Sequence, residues 1–205
     1  RAYSGECITF NHSNLTPKDL ELDDFQVATP TDTIGQHIHL VKFDVTSADG
    51  SGNGWNYEDG TFAPDAVFER MCAANKGAGA HFPQVSHIEC ETFHAASPAQ
   101  RFKMALAKGM HQTTTQRWFA DPMLFGPAFD PKGPDRTLGT IFTHDHFGPS
   151  SIQQHGFYSA LLIEPKGTQW YTEDGRALDE TAPDPTDIAK QADWTGPVAL
   201  IKQAS

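Results

Sequence analysis

Two His-x-His triplets set the problem this chain must solve: His37-Ile38-His39 in TIGQHIHLVKFDV, and His144-Asp145-His146 in GTIFTHDHFGPSSIQQHG. Both sit in apolar stretches that read as strands, the first with clear period-two alternation and the second at the end of an apolar run. Strand residues i and i+2 share a face and lie about 6.6 Å apart, so each pair presents two imidazoles in one direction. Ile38 and Asp145 then point to the opposite faces, Ile38 into a core. A single His-x-His is most often surface or core histidine. Two strand-borne pairs in one chain point instead to a metal, and imidazole suits copper, zinc, iron and nickel. The pairs stand far apart in sequence, so only tertiary structure can join them.

The rest of the chain reads as short strands around one helical stretch. Residues 5–14, GECITFNHSN, alternate Cys7, Thr9 and Asn11 against Ile8 and Phe10. Residues 37–45 read as one continuous strand, with Ile38, Leu40 and Lys42 on one side and His37, His39, Val41, Phe43 and Val45 on the other. A Gly/Asp/Asn-rich loop follows over 47–60. Pro64, Asp65 and the three/four spacing of Val67, Phe68, Met71 and Cys72 predict a helix over 64–76 that stops at Gly77. A Ser-x-x-Gln capping box at Ser97–Gln100 predicts a second, ending at Gly109. TTTQRWF, TLGTIFTHDHF, GFYSALLIEP and GPVALIK are further strands, with Trp118 expected in the core. The expected fold is mainly β, a sandwich with a partly helical insertion at about 60–110. That domain spans 1–170. Residues 171–205 read as an acidic linker and terminal strand, possible lead-in to a further domain.

The formal net charge of −11 argues against nucleic acid or an anionic membrane as the main partner. No apolar run approaches the roughly 20 residues of a membrane span. The three cysteines, Cys7, Cys72 and Cys90, leave at least one thiol free or paired with another chain. Cys72–Cys90 is a candidate disulfide, and no Cys-x-x-Cys is present. Asn11 and Asn14 each open a glycosylation sequon. His12, His81 and His111 read as surface histidines.

The segment GTIFTHDHFGPSSIQQHGFYSALLIEP resembles the multicopper oxidase pattern of Gly-Thr, His-x-His, a Gly-containing turn, and an apolar strand ending in an acidic residue and Pro. Here these are Gly139-Thr140, His144-Asp145-His146, Gly156, and Leu161 to Pro165. GECITFNHSNL resembles the strand that opens a cupredoxin domain of that family, and IGQHIH falls at its first His-x-His. The resemblance covers about residues 1–165 and is nearest to divergent bacterial members. Ile38 and Leu40 stand where the family usually has Trp and Gly, and the insertion lengthens the spacing between the pairs.

The resemblance implies a cupredoxin-like Greek-key β-sandwich, in a secreted protein of extracellular or periplasmic location. It implies an oxidoreductase that reduces O₂ to water while a small reductant, phenolic or a metal ion, is oxidised. His37 would be a ligand of type 2 copper; His39, His144 and His146 would be ligands of the type 3 pair. That is half of a trinuclear cluster. The other half, and a type 1 copper bound by His-Cys-His, would come from a second cupredoxin domain or subunit, because Asp145 occupies the cysteine's place here. Asp145 is expected to support the site by holding a strand edge or a neighbouring ring nitrogen. His155, in the following turn, is a candidate supporting donor, substrate-side residue or surface histidine. Bound as neutral imidazoles, the histidines should lose copper as pH falls below about 6.

Two other readings compete. His87, Cys90, His94 and Met104 have the composition of a blue-copper site, which would make the chain an electron carrier with no reaction of its own. A cupin-type iron or manganese enzyme also uses His-x-His on a strand, but its carboxylate and downstream histidine fit poorly around HIHLVKFD.

Overall fold

The structure, a computed structural model, describes residues 1–24, 27–52, 59–77, 82–122, 137–148, 152–172 and 199–202. These form a β-rich chain with one helical segment. In order they are β1 (Ala2–Tyr3), β2 (Cys7–Ser13), β3 (Asp19–Asp24), β4 (Val27–Pro30), β5 (Thr33–Ile38), β6 (Lys42–Phe43) and β7 (Gly60–Phe62). Then come α1 (Pro64–Lys76), α2 (His87–Ala95), α3 (Pro98–Ala107), β8 (Thr113–Phe119), β9 (Gly139–Asp145), β10 (Tyr158–Glu164), β11 (Gln169–Thr172) and β12 (Ala199–Lys202). No helix among the described residues is long and apolar enough to cross a membrane.

The chain divides into two compact units. The larger comprises Cys7–Phe119 and Ile141–Leu161; the smaller comprises Arg1–Glu6, Ala120–Thr140 and Leu162–Ser205. In the larger unit, β5 lies between β7 and β9, antiparallel to both. A second sheet has the order β2-β8-β6. Along β2 the exposure alternates residue by residue, with Ile8 and Phe10 on the less exposed side, as the sequence pattern requires. Phe10 stacks on Trp118, whose exposure is 3%. The two sheets are joined by buried polar contacts. Gln116 Nε2 on β8 donates to the Gln36 carbonyl on β5 at 2.9 Å, and the hydroxyls of Thr61 and Thr114 are 2.7 Å apart. A buried amide left unpaired would cost about 1–3 kcal/mol, so these bonds fix which strand faces which.

The single strand expected over 37–45 is two strands in different sheets. β5 ends at Ile38; Leu40 takes a left-handed backbone (φ 69°) and is exposed; β6 then pairs with β8. The alternation of Ile38 and Leu40 is broken at this corner. Ile38 is fully buried as expected, but Leu40 is 66% exposed.

The helical segment has its own core of Phe68, Cys72, Val85, Cys90, Phe93, Ala105 and Met110. α1 has the bounds that Pro64 and Gly77 predict. α3 carries the Ser97–Gln100 capping box, and α2, which the sequence reading did not anticipate, carries another from Ser86 to Glu89. Cys72 and Cys90 form a disulfide between α1 and α2, while Cys7 is free and exposed. A closed loop of this length stabilises by about 3 kcal/mol in the chain-entropy account.

Glu89 accepts from Ser86 and pairs with Lys108 at 2.5 Å. Its carboxyl is pushed down to about 2, first by the Lys108 hydrogen bond and then by Ser86. A carboxyl whose folded value is depressed contributes stability above its ordinary 4.5, lost as pH falls toward about 2. The protection factor of the Glu89 amide, its exchange rate relative to an unstructured peptide at the same pH, should therefore fall across that window, and Glu89→Gln should flatten the response.

In the smaller unit β1 pairs in parallel with the end of β10, Ala2 opposite Ile163. Trp170 Nε1 donates to Glu164 Oε1 at 2.6 Å, and Arg1 lies over the Trp170 ring. β11 and β12 pair antiparallel. The terminal strand expected near the end is thus present at 199–202; the acidic linker lies outside the described residues.

Candidate metal centre

The β5–β9 register brings the two histidine pairs together. His37 stands directly opposite His144, with Gln36 opposite Asp145 and Ile38 opposite Thr143. His39 lies one residue past β5, yet its amide still bonds the Phe142 carbonyl at 3.1 Å. His146 lies one residue past β9, and its amide bonds the Gly35 carbonyl at 3.1 Å. The ladder therefore extends far enough to hold all four rings on one side. Ring centroids are 4.9 Å apart for His37–His39, 5.2 Å for His37–His144, 4.4 Å for His37–His146 and 5.1 Å for His39–His144.

Two groups that can hold a metal ion result. One is His37, His39 and His144; the other is His37, Asp49 and His146, and in each the ligand atoms lie within 4.8 Å of one another. The Nε2 atoms of His39 and His144 are 2.9 Å apart. Two nitrogens each about 2.0–2.1 Å from one ion, at adjacent coordination positions, are separated by about that distance. With no ion between them, one Nε2 must donate and the other accept.

Asp49 was not legible as a site residue. It lies in the Gly/Asp/Asn-rich loop and reaches both pairs. His37 Nδ1 is 3.2 Å from its Oδ1 and 2.9 Å from its carbonyl oxygen, and His146 Nδ1 is 3.1 Å from its Oδ2. An Nδ1–H donated to these oxygens fixes the tautomer and leaves Nε2 with its lone pair, the usual way a protein orients a metal-binding histidine. Burial works against the Asp49 charge, but the Ser51 hydroxyl and the two histidines hold its carboxyl below the ordinary value. Burial first, and then the neighbouring rings, hold His37 and His39 below theirs, although Asp49 pulls His37 the other way.

The loop that carries Asp49 is pressed against β5 by two glycines. A Cβ on Gly35 would sit 1.8 Å from the Gly50 carbonyl oxygen, and one on Gly50 (φ +80°) would sit 2.5 Å from the Gln36 carbonyl carbon. The Gly50 amide donates to the fully buried Asp59 at 2.7 Å.

Asp145 points away from the imidazoles, as strand alternation requires, and is 1% exposed. Of the roles expected for it, the structure shows the hold on a strand edge. Its Oδ2 accepts from the Gly35 amide and its Oδ1 from the Gly148 amide, both at 2.8 Å. It thus ties β5 to the turn after β9. Burial raises its carboxyl above the ordinary value against the pull of these amides. Asp145→Asn substitutes an N–H₂ for one acceptor and sets it against a buried amide donor. We expect about 1–3 kcal/mol of lost stability and metal affinity weakened about 10- to 100-fold with binding retained, read by thermal unfolding and competitive chelation.

His155 sits half-buried in the 3-10 turn Gln153–His155. The residue of that turn seen to reach the site is Gln153, whose Nε2 is 2.7 Å from His144 Nδ1 and donates to the Asp145 carbonyl at 2.6 Å, while Tyr158 donates to its Oε1. Phe142 stacks on His39 with centroids 4.0 Å apart, and Phe43 meets His37 edge-on. Of the other histidines, His111 is exposed and His81 lies outside the described residues. His12, expected at the surface, is half-buried between β2 and Thr61, with its ionisation lowered by burial. Asn14 is fully buried and donates to the carbonyls of Thr31 and Thr61, which closes that sequon in the folded chain.

The blue-copper grouping does not survive. Cys90 is bonded to Cys72 and lies, with His87 and His94, on α2; a disulfide sulfur cannot serve as thiolate.

Compared with models of protein families and with curated proteins, the chain matches none.

Proposed function

We propose that this chain is a cupredoxin-like domain of a multicopper oxidase, and that His37, His39, His144 and His146 hold copper as half of a trinuclear site. The observation that carries the reading is the 2.9 Å approach of His39 Nε2 to His144 Nε2, between pairs on neighbouring strands. An all-imidazole set with one carboxylate nearby suits copper, and imidazole alone does not select it over zinc; the resemblance of GTIFTHDHFGPSSIQQHGFYSALLIEP supplies that choice. When bound, copper supplies the one-electron chemistry that reduces dioxygen to water. The chain's own residues orient the rings through Asp49, the Asp145 carbonyl and Gln153, and burial shifts His37 and His39 toward the neutral form that binds a metal.

The domain requires a partner. Cys7 is exposed and has no histidine beside it, and Cys72 and Cys90 are joined, so no cysteine of this chain stands in a His-Cys-His context. Electrons from a phenolic or metal-ion reductant then arrive through a second cupredoxin domain or subunit that carries it. The disulfide accords with an extracellular or periplasmic location.

Copper content and dioxygen consumption of the purified chain test the proposal. We expect bound copper, no intense blue thiolate-to-copper band, and no oxidase-rate reduction of O₂ without a His-Cys-His partner. Full oxidase turnover by the isolated chain overturns the half-site; a blue band restores the electron-carrier reading.

A further inference from the structure

In the larger unit, outside the histidine cluster, a cleft of about 560 Å³ opens beside α1. Its apolar wall is Phe62, Val67, Met71, Ala74 and Phe82. Val67, Met71 and Ala74 follow four-and-three spacing and so share one helix face. The polar part of the lining is Arg70, His111 and Gln112. Gln112 is committed to the fold, because its Oε1 accepts from the Phe62 amide at 2.7 Å. Arg70 is not. Its guanidinium lies over the Phe62 ring, 4.1 Å from the centroid, and among the described residues no hydrogen bond or ion pair engages it. His111 is exposed.

Among the described residues no acidic side chain lines this cleft, although the chain carries 26 Asp and Glu against 15 Lys and Arg. An arginine stacked on an aromatic face keeps its planar fork of N–H donors free at the edge, and that fork matches a carboxylate in two parallel bonds. A volume within the usual range of about 300–1,000 Å³, apolar walls and one oriented polar group are the makings of a small-molecule site. We propose that the cleft binds an aromatic monocarboxylate, its ring against Phe62, Met71 and Phe82 and its carboxylate on Arg70. None of the metal-site residues lines the cleft, so its binding is independent of the copper site.

Naphthoate is the probe, with naphthamide as its uncharged counterpart and inorganic phosphate as an anion lacking the apolar body, each titrated by calorimetry into the full chain. Saturable naphthoate binding is expected, with naphthamide and phosphate at least about tenfold weaker. Arg70→Gln, at an exposed position, should bring naphthoate down to the naphthamide level. Ala74→Phe should fill the cleft and abolish binding of both, with the circular dichroism of the helices unchanged. No naphthoate binding, equal affinity for naphthamide or phosphate, or indifference to either substitution overturns the proposal.

Discussion

A chain carrying His39→Ala and His144→Ala together should retain copper only at background, while His87→Ala, on the exposed face of α2, should load like the parent. His39 and His144 supply the two nitrogens that approach within 2.9 Å. Outer residues that merely orient ligands change metal affinity about 10- to 100-fold; loss of two ligands from one group should exceed that, to about a thousandfold or more. His37→Ala should be the most damaging single change, because His37 belongs to both groups. Elemental analysis after dialysis against a weak chelator reads the result. Equal copper in all four proteins would end the proposal that these histidines form the metal centre.

Gly35→Ala should have the largest effect on the fold. The added methyl would stand 1.8 Å from the Gly50 carbonyl oxygen, a contact with backbone that no rotamer relieves. Gly35 also donates its amide to Asp145 and accepts from the amide of His146. Relief demands that the 47–52 loop lift from β5 or that β5 leave β9. Either movement carries Asp49 away from His37 and His146, or His37 away from His144. We expect a loss of about 4 kcal/mol or more, the range of exceptional core disruptions, together with loss of metal binding. Thermal unfolding and copper titration of the same sample distinguish the two. A variant with parental stability and parental copper affinity would show that the loop does not press on β5 as described.

Much of this architecture could be read from local pattern. Period-two alternation located β2, strand composition located β8 and β9, and Pro64 with Gly77 bounded α1, because these signals act within a few residues. The two histidine pairs were legible for the same reason: a strand puts i and i+2 on one face whatever surrounds it. The corner at Leu40 was not. Alternation continues through it in sequence, and only the pairing of β6 with β8 shows that the chain has changed sheets. Asp49 and Gln153 were hidden because their roles depend on where a loop and a short turn fall back on the strands, which spacing along the chain does not encode. α2 was not legible although Ser86 and Glu89 offer a capping box, since its nine residues carry only a weak apolar stripe and its place is set by packing of Cys90 and Phe93 into the helical core.

The position of His39 at the corner has a polymer consequence. One residue later the chain leaves the β5 sheet for that of β6, so His39 is attached to both. An ion shared by His39 and His144 would act as a cross-link between residues 105 apart in sequence. Closure entropy grows with the logarithm of loop length, and a tie across so long a loop removes much of the freedom of the unfolded chain. The same ion would resist shear of one sheet past the other at the point where the connecting strand turns. A metal bound there would be a mechanical rivet as well as a reagent, and its release would loosen the corner before it loosened the helices, which the Cys72–Cys90 bond holds independently.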